Sequence, residues 1–148
     1  MNLFFDTSAL VKLFHSERGS DIVADMVAKP DNRIWVLDLV RAEFSSALHR
    51  RYRNHEIEQS HLETALAGFD LQLRLFTVQP LGTPVLDEAI LLLARYGKSK
   101  GLRTLDALQI GAFSLLQEEG WAFVCADKNL SSIAVYAGYE VIDPTAGE

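Results

Sequence analysis

Hydrophobic and polar positions alternate along this chain in a pattern that predicts short buried strands separated by helices. Compact apolar runs of strand length lie at residues 2–5, 34–37, 121–125 and 139–142, with room for a short strand just before Pro80. Between these runs, apolar residues recur every three or four positions, as they do on one face of an amphipathic helix. Strand connections of this length normally cross over to a parallel neighbour. We therefore predict a single three-layer α/β/α domain over residues 1–148, with a mainly parallel sheet of about five strands.

The middle of the chain predicts a pair of helices. Ser60 with Glu63 has the spacing of a capping box, and Thr83-Pro84 combines a capping hydroxyl with a proline at the first helical position. Gly97 is expected to end the second helix, so that residues 97–104 form a basic loop. The first helix carries an apolar row that can pack inside the domain or against a second copy, and packing inside is favoured. This row consists of Leu62, Leu66, Phe69, Leu73 and Phe76.

Composition places the chain among ordinary globular proteins. It has 148 residues, of which 49% are hydrophobic and 23% charged, so it can bury a core of its own. Cys125 is the only cysteine, which excludes an internal disulfide and a cysteine-based metal site and favours a cytoplasmic location. The first fifteen residues lack a basic segment and include Asp6, which argues against a signal peptide. No apolar run is long enough to span a bilayer.

Charge is segregated along the chain rather than mixed. The net charge of −6 by itself argues against a nucleic-acid partner, but residues 41–53 have a balance of +3 and residues 95–103 a balance of +4. Segregated charge can draw a polyanion onto one face of an acidic protein, although solvated helix ends give the same pattern. The basic residues are Arg41, Arg50, Arg51 and Arg53 in the first segment, and Arg95, Lys98, Lys100 and Arg103 in the second.

Two predicted strands end on an aspartate at the point where a helix begins. Asp6 follows the apolar run 3–5, and Asp127 follows the run 123–126. An aspartate in either place can simply cap the helix that follows it. Parallel strands also present their carboxyl ends at one edge of the sheet, where α/β folds keep their ligand crevice, so the two acids can meet in a binding site.

Two further acids lie in predicted first helical turns. Asp106 comes two residues after Thr104, the predicted cap, and Glu43 sits in an apolar neighbourhood. The helix dipole alone favours an acid at either position. Four carboxylates at one sheet edge would repel one another, since each pair at about 4 Å costs roughly 4 kcal/mol at an effective dielectric of about 20. Such a cluster requires protons or a divalent cation, and oxygen ligands favour Mg²⁺ or Mn²⁺ over zinc.

Four blocks of sequence, in this order, resemble the PIN-domain family. The blocks are Asp6-Thr7-Ser8-Ala9-Leu10, Arg41-Ala42-Glu43-Phe44, Thr104-Leu105-Asp106-Ala107-Leu108 and Phe123-Val124-Cys125-Ala126-Asp127-Lys128-Asn129-Leu130. The resemblance spans essentially the whole chain. In its size and in lacking an appended domain, the chain resembles the VapC-type ribonuclease toxins.

The resemblance implies a metal-dependent endoribonuclease toxin that uses Mg²⁺, with Mn²⁺ as a substitute. It also implies an RNA substrate, a cognate VapB-like antitoxin that holds the toxin inactive, a homodimer within the toxin–antitoxin complex, and no membrane partner. Carried over by position, the acidic quartet is Asp6, Glu43, Asp106 and Asp127, with the hydroxyls of Thr7 and Ser8 beside the first acid. Asn129 falls where some relatives place a further acid, and it is neutral here.

Within this quartet, Asp6, Asp106 and Asp127 are expected to hold the metal, with Glu43 in the outer shell orienting a water molecule. A bound ion would lower the pKa of that water and stabilise the leaving 3′-oxygen. The basic segments are expected to hold the RNA backbone through Arg41, Arg50, Arg51, Arg53, Lys98, Lys100 and Arg103.

Three other readings remain open from the sequence. A catalytically silent binding module could keep the acidic pocket and dock a basic side chain of a partner, because carboxylates are good arginine acceptors. A receiver-like phospho-acceptor is less favoured, since it expects adjacent acids after the first strand and a lysine at a late strand end. Histidine-based nuclease chemistry is also less favoured, because no shared sheet edge is predicted for His15, His49, His55 and His61.

Overall fold

Five parallel strands form the central sheet. In chain order they are β1 (Asn2–Phe5), β2 (Arg33–Leu37), β3 (Thr77–Gln79), β4 (Trp121–Val124) and β5 (Val141–Ile142). Their spatial order is β3-β2-β1-β4-β5, so β1 lies at the centre. The predicted parallel sheet of about five strands, including the short one before Pro80, is confirmed.

The protein is described here by a computed structural model that covers residues 1–147. Seven α-helices and one short 3₁₀ turn connect the strands in this part of the chain. They are α1 (Thr7–Leu10), the 3₁₀ turn (Val11–Leu13), α2 (Ser20–Ala28), α3 (Val40–Arg53), α4 (Gln59–Leu73), α5 (Thr83–Lys100), α6 (Thr104–Leu116) and α7 (Lys128–Tyr136).

Alternate side chains of the strands enter two separate cores. In β1, Leu3 and Phe5 pack into one core and Phe4 into the other, because successive strand residues point to opposite faces. The first core is completed by α1 to α4 and the second by α5 to α7. The sheet therefore has helices on both faces, and the predicted three-layer α/β/α arrangement is confirmed.

The apolar row of α4 packs within the domain. Leu62 and Phe69 are buried in the first core, and Leu66, Leu73 and Phe76 pack against it. The ring of Phe69 stacks on that of Phe44 with centroids 4.1 Å apart. The favoured prediction, that this row packs inside the domain, agrees with the structure.

The predicted basic loop at 97–104 is wrong over most of its length. Helix α5 continues through Gly97 to Lys100 and ends at Gly101, whose φ of 69° is left-handed. Leu92 and Tyr96, which precede Gly97, and Leu102, which follows the helix, are buried in the second core. That packing outweighs the cost of about 1 kcal/mol for a glycine in a helix interior.

Several predicted helix starts are displaced by one or two residues. Ser60 and Glu63 form no capping box, because the helix begins at Gln59 and its N-cap Glu58 makes no side-chain capping bond. Thr83 and Thr104 are the first helical residues rather than caps. The strand predicted at 139–142 is shorter, and the helix predicted over 8–15 divides into α1 and the 3₁₀ turn. No helix in the described part of the chain has the length and apolar character to cross a membrane.

Gly97 and Gly101 offer a matched pair of substitutions. A Cβ at either position meets no heavy atom within 4 Å, so only backbone conformation separates them. We expect Gly97→Ala to raise the free energy of unfolding by about 0.5–1 kcal/mol, because alanine favours a helix interior. Gly101→Ala should lower it by about 1 kcal/mol, because φ is positive there. Urea unfolding of both variants measures these shifts, and equal signs would contradict the observed end of α5.

Candidate active site

Asp6 and Asp127 lie at the carboxyl ends of neighbouring strands. The pairing of β1 with β4 sets Phe5 opposite Val124, and the backbone N–H of Asp6 donates to the Val124 carbonyl at 2.9 Å. Both aspartates are also helix caps. The Ser8 N–H donates to Asp6 Oδ2 at 3.0 Å, and the Leu130 N–H donates to Asp127 Oδ1 at 2.8 Å. Capping and a place at the shared sheet edge are thus properties of the same residues.

The Ser8 hydroxyl connects the two strand ends. It donates to Asp6 Oδ2 at 2.5 Å and accepts the backbone N–H groups of Ala126 and Asp127 at 3.0 and 3.2 Å. The thiol of Cys125 lies 3.8 Å from the same Asp6 oxygen. Burial, followed by the charge of Asp6, raises the pKa of Cys125 to about 12, so this thiol stays protonated. Asp6 is almost fully buried, and the two hydrogen bonds from Ser8 fix the orientation of its carboxylate.

Glu43 is held by two polar groups from other elements. The Thr7 hydroxyl donates to Glu43 Oε1 at 2.9 Å, and Gln109 Nε2 donates to the same oxygen at 2.6 Å. Gln109 Nε2 also lies 3.2 Å from the Thr7 hydroxyl. Gln109 is buried, and the sequence analysis missed it. A signal was available, since it is the one polar side chain in the stretch 107–113 of helix α6, one turn after Asp106.

All four acids of the predicted quartet line one cleft of about 640 Å³. Asp6 and Asp127 enter it from the sheet edge, while Glu43 and Asp106 enter it from the first turns of α3 and α6. The rest of the lining combines small and apolar residues with four further charged ones, Lys12, Glu17, Arg50 and Arg51. No histidine of the described residues lines this cleft.

The acids raise one another's proton affinity. Burial, together with the charges of Glu43 and Asp127, raises the pKa of Asp6 to about 6, although hydrogen bonds from Ser8 oppose the shift. Burial and the charges of Asp6 and Asp127 raise the pKa of Asp106 to about 6. Burial also raises the pKa of Glu43, against the hydrogen bonds from Gln109 and Thr7. The cleft therefore favours the binding of positive charge.

Each acid retains carboxylate oxygens that make no hydrogen bond within residues 1–147. These are Asp6 Oδ1, Glu43 Oε2, Asp127 Oδ2 and both oxygens of Asp106. Oxygen atoms alone are the ligand set that Mg²⁺ and Mn²⁺ prefer. Over the same residues, however, no three Asp, Glu, His or Cys side chains form a ready-made metal-binding group. The donor set fits such an ion, and holding it requires the carboxylates to turn towards a common point.

The predicted RNA-binding residues of α3 divide into two groups. Arg50 and Arg51 line the acidic cleft, and Arg51 Nη2 lies 3.2 Å from Glu17 Oε2. Arg53 lies outside the cleft. Arg41 also lies outside it and pairs with Asp38, with Nε to Oδ1 at 2.6 Å.

The predicted RNA-binding residues near α6 are exposed. Lys98 and Lys100 are exposed near the end of α5, and the Lys100 amino group lies 4.1 Å from the ring centroid of Tyr136. Arg103 immediately precedes α6, and its charge opposes part of the rise that burial and the neighbouring acids cause in the pKa of Asp106. Asn129 is exposed in the first turn of α7 and does not line the cleft.

The family model of the PIN domain matches residues 3–136. No curated protein sequence matches the chain. Among solved structures, VapC20 of Mycobacterium tuberculosis, described as a toxin that cleaves the sarcin–ricin loop, superposes with a TM-score of 0.68 at 18% identity over 96% of this chain and 99% of that one. VapBC2 of Rickettsia felis, bound to a promoter DNA fragment, gives 0.67 at 15% identity over 97% and 98%. FitAcB of Neisseria gonorrhoeae gives 0.69 at 12% identity over 97% and 99%.

The burial of these acids, together with their mutual repulsion, leads to a prediction about how stability depends on pH. The folded-state pKa values of Asp6 and Asp106, about 6, exceed the ordinary 3.8, so the folded chain binds more protons than the unfolded chain between these values. The associated stability is fully present below about pH 4 and is lost as the pH rises through 6. Asp106→Asn should therefore raise the free energy of unfolding at neutral pH, on the order of 1 kcal/mol after allowance for solvent screening.

Urea unfolding in EDTA at pH 4 and pH 7 measures this effect. The wild type should lose stability between the two values, and Asp106→Asn should lose less. Asp25→Asn, on the exposed face of α2, is the matched control and should change neither value. A variant that is less stable than the wild type at pH 7 would contradict the repulsion.

Proposed function

The chain belongs to the PIN-domain family, and from this premise we propose that it is a metal-dependent endoribonuclease. One observation carries the proposal. Two strand-end aspartates and two acids from first helical turns line a single cleft, and burial raises the pKa of three of them. Perturbed acids gathered in a cleft are typical of catalytic sites.

Mg²⁺, or Mn²⁺ in its place, is the cofactor that suits these ligands. Asp6, Asp106 and Asp127 would hold the ion through oxygens that hydrogen bonds leave free, and Glu43 would act from outside this set. A bound ion supplies an activated water nucleophile and neutralises negative charge on the phosphate being cleaved. The raised pKa values of Asp6 and Asp106 also support it, because burial and, to a smaller extent, neighbouring acids disfavour their charged forms, and a divalent cation would stabilise those forms.

The residues of the chain have separate tasks in this mechanism. Ser8 holds one oxygen of Asp6 and leaves the other free to bind. Thr7 and Gln109 both donate to Glu43 Oε1, so that Glu43 Oε2 remains free to orient a water molecule and accept its proton. RNA would approach along the exposed basic residues on the Asp106 side of the cleft, which are Lys98, Lys100 and Arg103.

A basic protein partner suits the same cleft. The structural neighbours from Rickettsia felis and Klebsiella pneumoniae are described as VapBC2 and as a toxin–antitoxin complex. We propose that a VapB-like antitoxin inhibits this chain by placing a basic side chain among the acids, where it would form charge-assisted hydrogen bonds. Such a partner should co-purify with the wild type and be retained less well by Asp6→Asn.

Self-association is the remaining part of the proposal. Leu86 and Ile90 lie one turn apart on α5, and both are exposed. Exposed apolar side chains at this spacing suit a helix-mediated homodimer within the complex. Light scattering of the purified chain, alone and with its antitoxin, tests the stoichiometry. A cytoplasmic location follows from the proposed RNA substrate.

Cleavage of single-stranded RNA by the purified chain tests the function. We expect cleavage with Mg²⁺ and none with EDTA. Asp6→Asn should reduce the rate by about 100-fold or more, because loss of a ligand removes several kcal/mol of transition-state stabilisation. Asparagine can still accept the hydrogen bonds of Ser8, so the cap should persist. Asp25→Asn is again the matched control.

Two outcomes would contradict the proposal. Cleavage that persists in EDTA would exclude the metal, and equal rates for Asp6→Asn and the wild type would exclude the site. Binding of a basic partner by a folded chain that cleaves no RNA would instead favour the silent binding module.

A further inference from the structure

The cleft has a second, basic end that the acidic quartet does not use. Lys12 and Arg51 both line it, and a single carboxylate, Glu17, lies between them. Lys12 Nζ is 3.3 Å from Glu17 Oε1, and Arg51 Nη2 is 3.2 Å from Glu17 Oε2. Arg50 lines the same end and is exposed, and its side chain makes no hydrogen bond or ion pair within residues 1–147.

Helix α3 joins the two ends of the cleft. Its cleft-lining residues are Ala42, Glu43, Ser46, Ala47, Arg50 and Arg51, which follow the three-to-four-residue repeat of one helix face. Arg50 lies seven positions after Glu43, a rise of about 10 Å along the helix. Ser46 and Ala47 lie between them and are small. An extended chain can therefore lie along this face, with one part at the acids and the next at the basic end.

The basic end carries uncompensated positive charge. Two cations share one carboxylate, and Lys12 is only 8% exposed, so water offers it limited compensation. The donors are also incompletely used. Arg51 Nη1 is buried without a partner in the described residues, and Lys12 makes one hydrogen bond of the three that its amino group can donate. Buried unpaired donors are costly, and an anion would complete them.

We propose that Lys12, Arg50 and Arg51 form a subsite that binds the RNA phosphate next to the one being cleaved. The inference rests on the proposed function, because RNA is expected in this cleft only if the acidic end holds a metal ion that cleaves it. A nucleic-acid strand carries a phosphate at every nucleotide, so a strand whose scissile phosphate lies among the acids must place another one nearby. The position about two helical turns further along α3 is the basic end. Glu17 holds Lys12 and Arg51 at a common point.

The test measures RNA binding without cleavage. The full chain carrying Asp106→Asn is titrated into a short fluorescein-labelled single-stranded RNA, and anisotropy gives the dissociation constant at several salt concentrations. Adding Lys12→Gln should weaken binding by about tenfold at low salt. It should also lower the slope of log affinity against log salt by about 0.7, the value for one phosphate contact on a single strand. Lys12→Arg should restore both quantities.

Two further variants separate phosphate binding from folding. Arg50→Gln removes an exposed side chain without partners, so its melting temperature should not change while its salt slope falls by the same amount. This variant decides the test if Lys12→Gln does not fold. Lys29→Gln removes the same charge from an exposed residue outside the cleft and should change binding by less than about twofold. A purely structural Lys12–Glu17–Arg51 network predicts lower melting temperatures with unchanged slopes.

The outcomes distinguish this subsite from the proposed function. Smaller slopes for Lys12→Gln and Arg50→Gln, but not for Lys29→Gln, support the subsite. Slopes equal to that of Lys29→Gln, or no RNA binding at all, overturn it. The catalytically intact chain is assayed for cleavage in parallel. Cleavage with unchanged slopes leaves the function and removes the subsite. Changed slopes without cleavage remove the nuclease function and leave only a site that binds RNA phosphate.

Discussion

The register of β1 against β4 is the constraint on which the rest of the structure depends. These two parallel strands, from opposite ends of the chain, pair along their full length and finish beside each other. Asp6 comes directly after β1 and Asp127 three residues after the end of β4, and both acids cap the helix that follows. Ser8 fixes the arrangement, since one hydroxyl contacts the carboxylate after β1 and two backbone amides after β4. A slip of this register would move the two acids apart and break these contacts together.

The acidic cleft works against the stability of the fold that forms it. Burial and like charge raise the pKa of Asp6 and Asp106 to about 6. At neutral pH the folded chain therefore holds ionised carboxylates whose charge is less stable than in water and which a cation would stabilise. The chain offsets part of this cost with hydrogen bonds from Ser8, Thr7 and Gln109. These bonds occupy one oxygen on each of two acids and leave the other available. The same contacts therefore limit the cost and keep the second oxygen of each of these two acids free.

The polarity of the cleft has a simple structural basis. One face of α3 presents Glu43 near its start and Arg50 and Arg51 near its end, with small residues between them. This order also matches the helix dipole, which favours acids at the start and bases at the end. A polyanion in contact with an ion among the acids would thus find positive charge further along the same helix. Acidic and basic residues that are separated in the sequence thus lie at opposite ends of a single cleft.

The sequence by itself determined the parallel α/β architecture and the place of all four acids at the ends of strands or starts of helices. Apolar runs, helical periodicity and the strand–aspartate–helix pattern are local features, and each can be recognised in a window of about ten residues. Tertiary structure decided the remainder. Packing of Leu92 and Tyr96 carried α5 past Gly97, and helix starts moved by a residue or two where no side chain capped them. Gln109 meets Glu43 across 66 positions, and Arg51 meets Glu17 across 34. Such partners are chosen by how the helices pack on the sheet, and short-range sequence patterns do not contain that information.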